Sequence, residues 1–166
     1  MESSKLLYAY SRDERMSVRS DTASAVVRRA TLADAPSIAK LSGELGYPAT
    51  SEDVVRRFRE LEGDPRHVLY VAELPSGEVI GWVHVQEVHL IESEMRAEIS
   101  GLVVLEGHRG RGAGKLLMQH AEQWARERGC GAVLLRSNVI RTAAHAFYEK
   151  LGYTNIKNQK VFRKIL

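Results

Sequence analysis

Cysteine is nearly absent from the chain, and the single thiol, Cys130, excludes an internal disulfide and fits a reducing compartment such as the cytoplasm. The chain also has no apolar run close to the length of about 20 residues that spans a bilayer, so a membrane anchor is not expected. Residues 1–24 are polar and charged and lack the hydrophobic centre of a secretion signal. We therefore expect them to form a mobile tail.

Positive charge is not gathered into any dominant run. The net charge is only +3, and the basic residues are spread along the chain, so a nucleic-acid partner is not indicated. The composition, 44% apolar and 27% charged, is ordinary for a globular protein of 166 residues. These features predict one domain, and we place it at residues 25–166.

Hydrophobic periodicity within that domain predicts a mixed α/β fold. Helical connections between strands require parallel pairing in the centre of the sheet, and the hairpins add antiparallel strands. The predicted order is β-α-α-β-β-β-α-β-α-β-β. The strands are expected near residues 26–30, 68–73, 79–88, 96–105 and 132–135, with a closing hairpin at 153–157 and 161–164, and the helices near 31–45, 51–61, 113–127 and 141–151.

A basic, glycine-rich turn joins the strand that ends near Leu105 to the next helix. Its sequence is Arg109-Gly110-Arg111-Gly112-Ala113-Gly114-Lys115. The N–H groups at a helix start have no partner within the helix, and the helix dipole places positive potential there. Glycines let a ligand approach the backbone, and the three basic side chains add full charges. The turn is therefore predicted to bind phosphate.

The spacing of this turn excludes two common phosphate motifs. A Walker A loop requires glycine where Arg109 stands and a hydroxyl residue where Leu116 stands. The dinucleotide pattern requires glycine at Lys115. The pattern that fits is Arg-x-x-Gly-x-Gly directly after a strand.

A second block lies about thirty residues further on. It consists of Asn138, Ala143, Ala146, Phe147, Tyr148, Leu151, Gly152 and Tyr153. Together the two blocks resemble the GNAT superfamily of N-acetyltransferases, and the resemblance covers most of residues 80–166. It implies the GNAT fold, with a mixed sheet of about six to seven strands flanked by four helices. It implies acetyl-CoA as cosubstrate and no metal.

The resemblance also implies a role for each matching residue. Residues Arg109, Gly110, Arg111, Gly112, Ala113, Gly114 and Lys115 are expected to hold the pyrophosphate of acetyl-CoA. The backbones of Val103 and Val104 are expected to pair with the pantetheine arm. Asn138 matches a residue that contacts the CoA arm, and its alternative role is to begin the turn or cap the helix that follows.

Two residues are candidates for proton transfer. Tyr148 matches the residue that protonates the CoA sulfur and also contacts CoA, although its helical spacing with Phe147 and Leu151 is equally that of a core residue. Glu98 matches the general base of histone-type members, and a solvated or salt-bridged glutamate is the alternative. His84 and His89 fall on opposite faces of one strand, so a shared metal site is disfavoured.

The resulting expectation is transfer of an acetyl group from acetyl-CoA to a primary amine by direct attack in a ternary complex. The acceptor is a small molecule or a protein amine, and a homodimer is compatible with the superfamily. A non-catalytic acyl-CoA-binding module is the alternative function. The presence of both Glu98 and Tyr148 favours the enzyme, because a module that only binds needs neither.

Overall fold

The computed structural model describes residues 25–166, and these residues form a five-stranded sheet with helices on both faces. The predicted tail at residues 1–24 lies outside the described residues. In chain order the elements are β1 (Val26–Arg29), α1 (Ala35–Leu45), α2 (Ser51–Leu61), β2 (His67–Glu73), β3 (Val79–Val88), β4 (Arg96–Val104), α3 (Ala113–Glu127), β5 (Val133–Leu135) and α4 (Thr142–Lys150).

The sheet is mixed, as the sequence predicts. Strands lie in the order β1-β2-β3-β4-β5, with antiparallel pairing from β1 to β4. Helix α3 carries the chain back so that β5 runs parallel to β4. The mixed α/β architecture and the four α-helices are confirmed, but the sheet of the described residues has five strands instead of six or seven.

The missing strands are those of the predicted closing hairpin. Within the described chain, residues 153–166 form no strand, and every residue from 154 onward is exposed. A strand needs a neighbouring edge whose N–H and C=O groups it can pair with, and the nearest edge, β5, is only three residues long. The local sequence alone is therefore not enough to form the hairpin here.

Each face of the sheet has its own hydrophobic core. On one face, Leu117, Met118 and Trp124 of α3 pack against inward residues of the strands. On the other face, Ile38 and Leu41 of α1 and Val54 of α2 pack with residues that include Trp82 and Val103. On this second face, the end of α1 and the start of α2 each have a capping structure.

Helix α2 begins with a capping box, in which Asp53 N donates to Thr50 Oγ1 at 3.1 Å and Thr50 N donates to Asp53 Oδ2 at 3.2 Å. Helix α1 ends at Gly46, whose φ of +94° favours glycine. Arg141, just before α4, donates to Leu45 O at 2.6 Å. The first helix is thereby tied to the start of the last one.

Strand β4 creates the gap on which the site depends. A bulge lies opposite the step from His84 to Val85, where Ile99 and Gly101 pair with β3 and Ser100 is the extra residue. Pairing with β5 ends at Ile99 and Leu135, while β4 continues to Val104. The second half of β4 therefore has an edge that β5 does not cover.

Candidate active site

The uncovered edge of β4 presents the backbone of alternate residues. Leu105 N donates to Ile80 O at 2.8 Å, so Leu105 and Ile80 are a hydrogen-bonded pair of the antiparallel ladder. Such pairs recur every second residue, so Val103 and Trp82 are the next one. The N–H and C=O groups of Leu102 and Val104 therefore point toward the gap. Of the two predicted pantetheine contacts, the structure places Val104 at the gap and turns Val103 toward β3.

Sequence reasoning missed Leu102 because the direction of each backbone group depends on the bulge at Ser100. A bulge inserts one residue into a strand and so changes which residues face a given neighbour. The sequence shows where the strand ends, but not where the extra residue lies.

The start of α3 provides free N–H groups next to this gap. The first bond of the helix is Leu116 N to Gly112 O at 3.0 Å, so the N–H groups of Ala113, Gly114 and Lys115 have no partner within the helix. Gly110 and Gly112 have φ values of +74° and +94°, which a residue with a side chain rarely adopts. The predicted turn thus exposes its backbone at the positive end of a helix dipole.

The three basic side chains of the turn have different surroundings. Arg109 donates from Nε to Val104 O at 2.9 Å and approaches Glu44 at 3.5 Å, so its guanidinium closes the turn against β4 and α1. Arg111 and Lys115 are exposed, and neither forms an ion pair in the part of the chain that is described. These two cations are free to meet an anion.

Helix α4 packs closely against this turn. A Cβ placed on Gly114 would lie 3.3 Å from Phe147 Cζ, so the absence of a side chain lets the two helices approach. Asn138, before α4, accepts from Ile140 N at 3.2 Å through Oδ1 and from Arg141 N at 2.9 Å through its carbonyl. Asn138 therefore begins the turn into the helix, which is the alternative role considered for it.

Tyr148 follows Phe147 on α4 and is half-buried. Its ring makes edge contacts with Phe147, at a centroid distance of 5.3 Å, and with Tyr153, at 6.1 Å. Burial raises the pKa of Tyr148 above the ordinary value, and the charge of Arg141 opposes this rise. Within residues 25–166, its hydroxyl has no hydrogen-bond partner, whereas that of Tyr153 donates to Glu122 at 3.0 Å. The Tyr148 phenol is therefore protonated at neutral pH and available to a ligand.

Glu98 is buried on β4, with 7% of its surface exposed, and forms an ion pair with Arg136 just after β5. The Arg136 side chain is 58% exposed, so one end of the pair reaches the surface. This ion pair connects β4 and β5 at the end of the gap where the two strands are still paired by hydrogen bonds. Sequence reasoning identified Glu98 but not Arg136, because the contact joins residues 38 positions apart.

A groove of about 660 Å³ is lined by residues of α1, α2, β2 and β3 and by the end of α3. Its wall includes Phe58, Trp82, His67 and His84. In register, His84 pairs with Gly101 and Trp82 with Val103, so these two groove residues neighbour the half of β4 that borders the gap. The Trp82 Nε1 atom is buried without a hydrogen-bond partner among the described residues.

The two histidines in this groove form a pair. His67 Nδ1 lies 3.2 Å from His84 Nε2, and the rings are stacked at a centroid distance of 5.4 Å. Burial, and to a smaller extent the charge of His67, lowers the pKa of His84 to about 4. His89 instead meets Glu87, at 2.5 Å. The described residues contain no group of three or more side chains arranged to hold a metal ion.

No helix among residues 25–166 is both long and apolar enough to cross a bilayer.

Comparisons with known proteins agree with this geometry. Residues 35–153 match the acetyltransferase (GNAT) family model. The chain is 34% identical over 133 residues to an aminoalkylphosphonate N-acetyltransferase of Salmonella typhimurium, covering 76% of this chain and 83% of that protein.

Solved structures show the same fold. The glucosamine-6-phosphate N-acetyltransferase of Arabidopsis thaliana is 25% identical, with a TM-score of 0.71 over 82% of this chain and 96% of that one. A Bacillus halodurans protein described as a transcriptional regulator is 27% identical, with a TM-score of 0.74 over 84% of this chain and 99% of that one. Since the family model matches well over half of the chain, this protein belongs to the GNAT family of N-acetyltransferases.

Proposed function

We propose that the protein transfers the acetyl group of acetyl-CoA to a primary amine, by direct attack while both substrates are bound. The observation that carries the proposal is the gap between β4 and β5, which has free backbone groups along one side and the exposed start of α3 at its end. A long phosphorylated thioester fits this arrangement, because its amide-rich arm and its pyrophosphate need different partners.

The start of α3 is proposed to hold the pyrophosphate. The N–H groups of Ala113, Gly114 and Lys115 donate to its oxygens, and the side chains of Arg111 and Lys115 neutralise its charge. Arg109 contributes by holding the turn in place through Val104 O. The outward N–H and C=O groups of Leu102 and the N–H group of Val104 then pair with the pantetheine amides and direct the thioester toward the bulge.

Glu98 is proposed as the general base. A lysine-like amine has a pKa near 10.4, so at pH 7 only about 1 molecule in 2,500 is neutral, a handicap of roughly 4.6 kcal/mol. Glu98 accepts the amine proton, directly or through one water molecule, and Arg136 keeps the carboxylate in a single orientation. Tyr148 is proposed to donate its proton to the departing CoA sulfur.

A small amine that carries an anionic group is the proposed acceptor. Arg29 and Arg57 line the groove together with the carboxylates of Glu62 and Glu127, which suit the ammonium group of such an acceptor. The two guanidinium groups suit a phosphonate, phosphate or carboxylate on the acceptor. The relative from Salmonella typhimurium is an aminoalkylphosphonate N-acetyltransferase, which agrees with this class. The cytoplasm is the proposed place of the reaction.

The test is thiol release from acetyl-CoA in the presence of a panel of amines. The panel pairs each aminoalkylphosphonate with the alkylamine that lacks the phosphonate, and it adds aminoglycosides and a peptide with a free N-terminus. We expect release with the phosphonates at a kcat/KM at least about tenfold above that of the matched alkylamines, as a charge-assisted contact predicts.

Thermal unfolding with and without CoA separates the possible failures. Stabilisation by CoA without turnover on any amine would support the non-catalytic binding module instead. Release with aminoglycosides or peptide alone would retain the transferase and reject the anionic acceptor. No stabilisation by CoA would reject the proposed CoA site.

A further inference from the structure

The end of α1 contacts the two chain segments that follow the strands on either side of the gap. Glu44 is the last residue but one of the helix, and Leu45 is the last. Glu44 meets the connection from β4 to α3, whereas the carbonyl of Leu45 accepts from Arg141 Nη2, at the start of α4, at 2.6 Å. The same helix end is therefore attached to both sides of the gap.

One oxygen of the Glu44 carboxylate accepts both hydrogen bonds from the connection after β4. Oε2 accepts from Glu106 N at 3.1 Å and from Arg109 Nη2 at 3.5 Å. Glu106 begins a short helical turn, Glu106–His108, and its N–H has no partner within that turn. Glu44, 62 positions away in the sequence, thus caps the turn that leads into the glycine-rich segment.

Arg109 extends this attachment to the strand. Its Nε donates to Val104 O at 2.9 Å, so a single guanidinium joins the Glu44 carboxylate to the last residue of β4. Gly110 and Gly112 follow at once, and glycines lose the most conformational entropy when a chain is ordered. Helix α3 holds one end of the glycine-rich turn. The contact with Glu44 holds the other end, so the N–H groups are ordered before a ligand arrives.

Charge and exposure show what this contact contributes. The Glu44 side chain is 29% exposed and that of Arg109 is 54% exposed, and an ion pair so open to water adds little to the stability of a fold. A carboxylate beside an anion site also repels the anion, so Glu44 does not attract phosphate itself. What it supplies is a fixed position for Arg109 and for the backbone of the turn.

We propose that Glu44 is a positioning residue for acetyl-CoA, which holds the glycine-rich turn in the conformation that binds the pyrophosphate. This inference rests on the proposed function, since it takes that turn to be the pyrophosphate site. Helix α1 also lines the proposed acceptor groove, through Ile38 and Ser42. The helix that contacts the acceptor therefore also sets the turn that holds the cosubstrate.

Calorimetry with CoA and with ADP tests this role without any need for turnover. ADP has a pyrophosphate but no pantetheine arm. Glu44→Ala is expected to raise the dissociation constants of both probes about tenfold, because it removes hydrogen bonds to a guanidinium and to a backbone N–H. Glu44→Gln keeps a carbonyl oxygen that accepts both bonds, and its dissociation constants should stay within about threefold of the native values.

Two further variants test whether the effect is specific to this contact. Glu60→Ala is the matched control, because Glu60 lies on α2 and meets Arg56 at 3.1 Å, and it should bind both probes as the native protein does. Glu44→Ala combined with Arg109→Met should weaken CoA binding by less than the product of the two single effects, because both changes remove one shared contact. Circular dichroism must show all variants folded.

The possible failures are distinguishable. If the native protein binds CoA and Glu44→Ala binds it equally well, the inference is wrong and the proposed function stands. Equal losses in Glu44→Ala and Glu44→Gln would replace positioning by a pure charge effect and would also overturn the inference, as would single effects that multiply fully in the double variant. A native protein that binds neither CoA nor ADP would reject the proposed function and this inference together.

Discussion

At the scale of single residues, Tyr148 and Tyr70 make a useful comparison because both are half-buried and burial raises the pKa of both. Tyr70 lies on β2 and makes an edge contact with His120 of α3, at 5.7 Å between ring centroids. Tyr148 lies instead on α4, which packs against the glycine-rich turn at the start of α3. Tyr148 is therefore the tyrosine that we propose as the proton donor, and Tyr70 serves as its control.

Tyr148→Phe is expected to lower kcat by about 100-fold, because a general acid contributes at least this much, while the affinity for CoA stays nearly unchanged. Steady-state kinetics and CoA binding by calorimetry measure the two effects. Tyr70→Phe is the control and should leave kcat within twofold of the native value. Equal kcat in the native protein and Tyr148→Phe would show that Tyr148 is a packing residue.

Glu98 and Glu87 make a second useful comparison, since each is a carboxylate held by an arginine that is distant in the sequence. Glu98 meets Arg136, whereas Glu87 meets Arg128 at 2.7 Å. Glu98→Gln is expected to reduce kcat/KM by about 100-fold at pH 7 and to recover much of it near pH 10, where the amine loses its proton without a base. Glu87→Gln should follow the native pH profile. A loss in Glu98→Gln that is the same at every pH would assign Glu98 to folding or binding.

At the scale of elements, the sequence predicts best where a local pattern decides the structure. Strand β4, the glycine-rich turn and α3 follow one another in the order that the sequence predicts. They are predictable because hydrophobic periodicity and glycines with positive φ are local properties of the chain. The two blocks also identify the family. The capping box at Thr50 and Asp53 begins α2 close to the residue expected from the sequence.

The contacts that the sequence could not predict join distant residues. The pairs Glu98–Arg136 and His67–His84 depend on strand register, and the register of β3 and β4 changes at a bulge that has no sequence signal here. The sequence predicts a closing hairpin, but a strand also needs an edge to pair with. Such an edge is a property of the whole sheet.

At the scale of the whole molecule, the sheet divides into two unequal parts. Strands β1 to β4 share long antiparallel pairings, whereas β5 is joined to β4 by three residue pairs only. The gap between the parts is where the proposed cosubstrate lies, so the domain leaves its sheet incomplete in order to bind. Stability must then come mainly from the antiparallel part, which includes the half-buried histidine pair.

This arrangement makes the stability of the fold depend on pH. The pKa of His84 is about 4 in the folded protein, compared with about 6.5 when unfolded, so the unfolded chain binds an extra proton between these values. The free energy of unfolding is therefore expected to fall as pH decreases from 6.5 to 4, by up to about 1.4 kcal/mol per pH unit from this residue.

Urea unfolding at several pH values, with His84→Gln for comparison, measures this contribution. The lowered pKa values of Asp34 and Glu87 produce losses mainly below pH 4.5, because an unfolded carboxylate has its pKa near 4. The window from pH 4.5 to 6.5 therefore isolates the histidine. In this window His84→Gln should reduce the slope of the unfolding free energy against pH by up to the equivalent of one proton. His108→Gln, in the short turn after β4 and outside the histidine pair, should leave the slope unchanged. Parallel curves for the native protein and His84→Gln would contradict the burial of a neutral imidazole, and with it the packing that shapes the proposed acceptor groove.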